Sequence, residues 1–287
     1  MTRGAKMRAL DHLVLPFIDL AQARDWFSRL GFTVAPDARH PFGTENACVF
    51  FADGTFFEPL AIGSAEDYAR ALEGGNLFVE RDEGFRSHAP DAVSAIALKS
   101  SDALADQAHL RASQLGEDRL TEFERDLTLP SGEAARLSFR LAFAKSFGDQ
   151  TPTVFFCEAR HRLSVDRSAL LAHANGAMSI TGVDFEAGDL ERATRHIEAV
   201  FCCEAQVSPD RGIVFDLAET RVTLAPAQEG SDKAALRVAA VTVGVDSLSK
   251  AEACLTGSDI PYSADDETIT VAFPNGDGRL VFVEEPV

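Results

Sequence analysis

Three short stretches of this 287-residue chain carry residue types that can do chemistry. Asp11 and His12 lie in an apolar run from Ala9 to Pro16, and Glu58 sits between Phe57 and Pro59 in a second one. His40, Thr44 and Asn46 fall in the polar stretch between the two runs. An imidazole moves protons near neutral pH or ligates a metal through its neutral form. A carboxylate in an apolar strand is costly to bury unless it is paired or used. The combination points to proton transfer or ion binding. Ordinary alternatives stay open: His12 as a core histidine satisfied by backbone, Glu58 on an edge strand facing water, and His40 on a surface loop.

The elements that must position these residues can be read from periodicity. Asp19 precedes Leu20, Ala23, Phe27 and Leu30 at helical spacing, and Gly31 supplies the stop. A strand at Phe32–Val34, a loop from Pro36 to Thr44, a strand at Asn46–Phe51 and an Asp53-Gly54 hairpin lead to the strand bearing Glu58. His12 and Glu58 thus fall in the first and last strands of one βαβββ unit, where both can face one concave sheet. Three weaker copies follow, opening at Val93, Ile180 and Val238, with Asp102, Asp189 and Asp246 repeating the capping role of Asp19. In the second copy Leu137, Phe139, Leu141 and Phe143 alternate with Arg136, Ser138, Arg140 and Ala142. Glu158 closes that copy, and Glu284 closes the fourth across an Asn275-Gly276 turn.

The expected architecture is α+β, four tandem βαβββ modules in two domains spanning 1–165 and 175–287. Polar segments at 64–90 and 159–176, the latter with Arg160-His161-Arg162 and His173, are long enough to cover a pocket mouth or to be plain surface connections.

Composition narrows the partners. The chain has 45 acidic against 27 basic residues and a formal charge of −18, which disfavours nucleic acid and anionic membrane surfaces. No apolar run suits a signal peptide or a membrane span. The five cysteines, Cys48, Cys157, Cys202, Cys203 and Cys254, lack zinc or CxxC spacing and read as reduced thiols of a cytoplasmic protein. No phosphate-cradling glycine loop and no GxSxG elbow is present. A small-molecule substrate or ligand is the expected partner.

The chain resembles the vicinal oxygen chelate superfamily, and within it the glyoxalase-like branch. The resemblance rests on Asp11-His12, on His40-Pro41-Phe42-Gly43-Thr44-Glu45-Asn46, on Phe57-Glu58, on Leu137–Ala144 and on Phe155-Phe156-Cys157-Glu158. It implies paired modules wrapped into an open cup, with metal ligands on the first and last strands of each module. His12, Glu58 and Glu158 are the implied ligands, and His40 adds a second imidazole. Such a set suits zinc, manganese, iron or nickel. The position matching His12 in module two is Ala95, so one ligand is missing. The corresponding rear positions are Gly182 and Ala239, and the rear half reads as a scaffold.

The resemblance further implies a metal-assisted enzyme of lyase, isomerase or dioxygenase type acting on a small oxygenated molecule, with Glu58 or His40 moving the proton. Thr44, Asn46, Arg140 and Phe143 are the expected substrate contacts. Arg136 and Arg140 either meet a substrate anion or form a solvated outer face. Ala95 favours the other implied function, a metal-free protein that sequesters a drug or metabolite in the cup.

Overall fold

The computed structural model describes residues 7–87, 93–128, 134–148, 151–160, 166–209, 212–228, 235–274 and 276–285. His161 and Arg162 lie outside them, as does Asn275 of the expected turn.

Four βαβββ units are present in chain order. The first comprises β1 (Leu10–Pro16), α1 (Leu20–Arg29), β2 (Ala38–Arg39), β3 (Thr44–Asn46), β4 (Val49–Phe50) and β5 (Phe56–Ile62). Helices α2 (Ala65–Glu73) and α3 (Leu77–Arg86) follow. The second unit is β6 (Ala95–Lys99), α4 (Ala103–Ala112), β7 (Gly116–Thr128), β8 (Ala134–Ala144) and β9 (Thr153–Ala159). The third is β10 (Ala177–Ala187), α5 (Leu190–Phe201), β11 (Gln206–Ser208), β12 (Gly212–Asp216) and β13 (Arg221–Pro226). The fourth is β14 (Leu236–Val245), α6 (Leu248–Gly257), β15 (Ser263–Ala264), β16 (Thr268–Ala272) and β17 (Arg279–Glu284).

Each pair of units shares one sheet. The front order is β2-β3-β5-β1-β6-β9-β8-β7 with β4 beside β5, and the rear order is β11-β12-β13-β10-β14-β17-β16-β15. The first strands of paired modules run antiparallel at the centre, β1 against β6 and β10 against β14. Each first strand also runs parallel to the last strand of its own module. This arrangement gives each sheet an approximate two-fold axis between its central strands.

Alternation sorts the central strands onto two faces. Leu13, Leu15 and Phe57 join Ala23 and Phe27 of α1 in a core that continues through Ile180, Val183, Val241 and Phe282 of the rear sheet. Val14, Leu60, Ala95, Ala97, Leu141 and Phe155 face the other way, where Tyr68, Leu77 and Phe78 of the α2–α3 pair cover them. The polar insertion after module one is therefore helical, and its apolar side closes part of the concave face. It is clamped there: Arg86 donates to Phe17 O and Leu60 O, each at 2.9 Å, and to Asp82 at 2.8 Å, while Tyr68 OH donates to Asp82 at 2.8 Å.

Several expectations need correction. Residues 32–34 form no strand, because their backbone groups bond outside any sheet: Phe32 N donates to Phe27 O and Thr33 N to His173 Nδ1. The expected strand at 46–51 is broken, with β3 and β4 pairing separately with β5. Asp19, Asp102 and Asp189 do cap α1, α4 and α5 through their side chains. Asp246 does not cap α6. Ser247 holds the N-cap position, Asp246 pairs with Lys250, and Glu284 accepts the Leu248 N–H at 3.0 Å. This moves the fourth module by one residue, so the position matching His12 there is Ala240.

Candidate functional site

The concave face of the front sheet holds a cavity of about 650 Å³, lined by Asp11, His12, His40, Asn46, Glu58 and Arg125 among others. That volume is in the ordinary range for small-molecule sites. His12 on β1 and Glu58 on β5 reach it because strands of matched parity lie side by side, with His12 opposite Phe56 and Val14 opposite Glu58. His40 comes from the β2–β3 turn. Gly43 sits there at φ +88°, and a Cβ would lie 2.3 Å from Tyr68 N, so the turn that carries His40 against α2 depends on glycine.

Glu58 is the hub. His12 Nε2 lies 3.3 Å from one carboxylate oxygen, and His40 Nε2 lies 3.7 Å from the other, which also accepts from Asn46 Nδ2 at 2.5 Å. Behind His12, Nδ1 meets Asp11 Oδ2 at 2.8 Å, and Phe56 stacks on the ring at a centroid distance of 4.4 Å. Behind His40, Nδ1 meets Thr44 Oγ1 at 2.8 Å and Phe42 stacks at 4.9 Å. Both imidazoles are held from the side away from Glu58. His12 and Glu58 are 5% and 6% exposed, so the cluster is nearly dry.

Burial and pairing set the protonation states. Burial opposes charge on His12, but the carboxylates of Asp11 and Glu58 override it and hold the imidazolium up to about 9. Burial likewise opposes charge on Glu58, and the two imidazoles with Asn46 bring it down to about 2. For His40 burial prevails over the attraction of Glu58, helped by Arg125 and His12, and lowers it to about 4. Near neutral pH the trio is an imidazolium, a carboxylate and an uncharged imidazole. Cys48 and Cys157 also line the cavity, and burial raises both thiols, so they stay protonated.

The other expected site residues fall elsewhere. The residue facing the position two beyond Ala95 is Phe155, just as Glu58 faces the position two beyond His12. Phe155, not Glu158, therefore takes the place of a second carboxylate, and its ring packs edge-on against His12 at 5.6 Å. The same register places Thr223 and Val281 in the rear modules. Glu158 lies on the helix side of β9, accepts the Ala103 N–H at the start of α4 at 3.1 Å and faces Arg140 at 3.6 Å. It is not among the residues that line the cavity. Arg140 is on the same outer face and pairs with Glu122 at 2.5 Å, while Arg136 pairs with Glu124 and Asp126.

Phe143 is buried in the concave cluster and lines a small adjoining space with Ala95 and Phe155, not the main cavity. Thr44 acts on His40 from behind. Among the described residues no group of three histidine, cysteine, aspartate or glutamate side chains is arranged to hold a metal ion.

Three further cations line the cavity that the motifs do not single out: Lys99, Arg125 and Arg167. The signal for Arg125 lay in β7, where Phe123 and Arg125 share one parity and Glu122, Glu124 and Asp126 the other.

The family model for a glyoxalase-like domain matches residues 10–201. No curated protein matches the chain in sequence. Among solved structures, a hypothetical protein from Staphylococcus aureus superposes with a TM-score of 0.69 at 14% identity, covering 96% of this chain and 99% of that one. An engineered variant of 4-hydroxymandelate synthase from Streptomyces coelicolor gives 0.62 at 13% identity, covering 98% and 92%. Homoprotocatechuate 2,3-dioxygenase from Arthrobacter globiformis gives 0.54 at 13%, covering 98% and 80%. At these identities the structural likeness speaks for the fold alone. The family match spans both front modules and the start of the third, the sheets have the paired-module topology, and the chain therefore belongs to the glyoxalase-like domain family of the vicinal oxygen chelate superfamily.

Proposed function

We propose that the protein is a glyoxalase-like enzyme that binds a small oxygenated organic molecule in the front cavity and moves a proton on it. The observation that carries this reading is the buried Glu58 carboxylate held between a charged His12 and an uncharged His40. Such a pair of imidazoles in opposite protonation states divides the roles of acid and base. His40, uncharged, accepts a proton from carbon beside a carbonyl or hydroxyl group, and Glu58 stabilises the imidazolium that results. The His12 imidazolium, its two N–H groups held by Asp11 and Glu58, places a positive charge beside the oxygen on which charge develops. Phe56 and Phe42 stack on the two imidazoles and cover one face of each.

The metal-assisted form of this reading, expected from the resemblance, fits the residues poorly. The imidazole and carboxylate donors come from module one alone, since Ala95 and Phe155 occupy the opposing positions, and burial keeps the module-two thiol of Cys157 protonated. The chemistry above therefore runs through side chains.

The test is solvent exchange. A panel of small 2-oxo acids and 2-hydroxy ketones is incubated with the protein in D2O, and loss of the proton beside the carbonyl is followed by NMR. Catalysed exchange is expected for at least one member, reduced roughly 100-fold or more in His40→Gln and unchanged by a chelator. Exchange that vanishes with chelator and returns with zinc, manganese, iron or nickel would restore the metal-assisted form. A second reading, sequestration without turnover, is favoured by the apolar mates Ala95 and Phe155, and absence of exchange across the panel would select it.

A further inference from the structure

The geometry points to Arg125 as the recognition residue for a ligand carboxylate, and to an aryl-bearing organic anion as the class of molecule the front cavity takes. This rests on the cavity being the ligand site, as in the reading above, but not on turnover.

Arg125 is half-buried on β7, its guanidinium carbon 5.7 Å from the centre of the Phe139 ring. Its Nε and Nη1 are both buried without a hydrogen-bond partner. Nearly all buried donors in folded proteins are satisfied, and leaving one on a cation bare is costly. Two such donors on one side chain that lines a 650 Å³ cavity mark a place where an acceptor from outside belongs. The planar N–H pattern of guanidinium suits carboxylate oxygens, which it binds by charge-assisted hydrogen bonds.

The remaining lining fixes the rest of the ligand. Phe56, Phe78, Phe123, Phe139 and Phe155 give it aromatic walls suited to a flat apolar body. Lys99 and Arg167 add two more cations, and Arg167 stands over the Phe50 ring at 4.8 Å. Three permanent cations thus line one cavity of a chain whose formal charge is −18, while the cavity carboxylates Asp11 and Glu58 are already taken up by the two imidazoles and Asn46.

The experiment measures binding by calorimetry with four probes: phenylacetate, its neutral counterpart phenylacetamide, acetate and phenyl phosphate. Phenylacetate is expected to bind at least tenfold more tightly than phenylacetamide or acetate, and Arg125→Gln should weaken it on the order of 10- to 100-fold. Phenylacetamide binding should be indifferent to that substitution, and Arg125→Lys should recover part of the loss. Thermal unfolding of each variant checks that it is folded. Phenyl phosphate binding as tightly as phenylacetate, with the same dependence on Arg125, would keep the anion site but overturn the assignment to a carboxylate. Equal binding of phenylacetate and phenylacetamide, no binding of either, or phenylacetate binding untouched in folded Arg125→Gln would overturn the proposal. Because no turnover is measured, these outcomes stand apart from the failure of proton exchange.

Discussion

At the scale of single residues, the site depends on one carboxylate flanked by imidazoles in different charge states. His12 and His40 are the same side chain a few ångströms from the same Glu58, yet one is held up to about 9 and the other down to about 4. Asp11 meets the far nitrogen of His12 and Glu58 lies closer to His12, whereas the far nitrogen of His40 meets only the Thr44 hydroxyl and Arg125 and His12 repel its charged form. A pH profile should show it. If His40 must be uncharged and His12 charged, kcat/KM in the exchange assay falls on the acid side as His40 gains its proton near pH 4, and on the alkaline side as His12 loses its own near pH 9. In Asp11→Asn the alkaline limb should move to lower pH while the acid limb stays, because the carboxylate removed faces His12 alone. A profile flat from pH 4 to 9.5 would contradict the assignment of roles.

At the scale of elements, most of the architecture was legible and the errors have a common physical origin. The caps at Asp19, Asp102 and Asp189, the glycine stop at Gly31 and the alternation in β8 all have local causes, and each stands as read. The facing of a strand is not local. Phe57-Glu58 and Phe156-Cys157-Glu158 look like echoes, but the odd offset between Glu158 and the true mate Phe155 sends the carboxylate to the opposite face. Alternation separated the arginines of β8 from its phenylalanines correctly. Only the pairing with β7 and β9 shows that the phenylalanine face is the concave one. Glu158 and Glu284 hold matching positions in modules two and four, and each accepts the first helical N–H of its own module. Glu158→Ala should therefore cost about 1 kcal/mol in urea unfolding, as loss of a helix cap does, and leave phenylacetate affinity unchanged. A large loss of affinity with no loss of stability would return Glu158 to the site.

At the scale of the whole molecule, two sheets share one core. Phe32 of the front half stacks on Phe282 of the rear at 6.0 Å, and Trp26 lies 5.3 Å from Phe273. Asn175, fully buried, donates to Leu30 O at 2.9 Å, and Ala52 N donates to Met178 O at 3.0 Å. The two domains expected from the sequence are thus joined by apolar packing and by buried polar bonds. Urea unfolding should follow a single transition by fluorescence and by circular dichroism, and Asn175→Ala should shift it by about 1–3 kcal/mol through the groups left unpaired. Two separated transitions would mean that the halves fold independently. The rear modules, with Gly182, Thr223, Ala240 and Val281 at the positions of His12 and Glu58, contribute to the site through this shared core, not through donors.

The Arg86 clamp has a bearing on how a guest is received. One guanidinium ties α3 to the carbonyls of Phe17, just past the strand that bears His12, and of Leu60, within the strand that bears Glu58, while Asp82 joins the same side chain to Tyr68 on α2. A roof bolted to the floor in this way has little freedom left to surrender when a molecule enters. Most of the entropy lost on association then belongs to the guest, which favours compact, inflexible molecules over chain-like ones of equal apolar area. Selectivity in such a chamber comes from what its walls exclude, and a rigid ring with a short charged arm is the shape it penalises least.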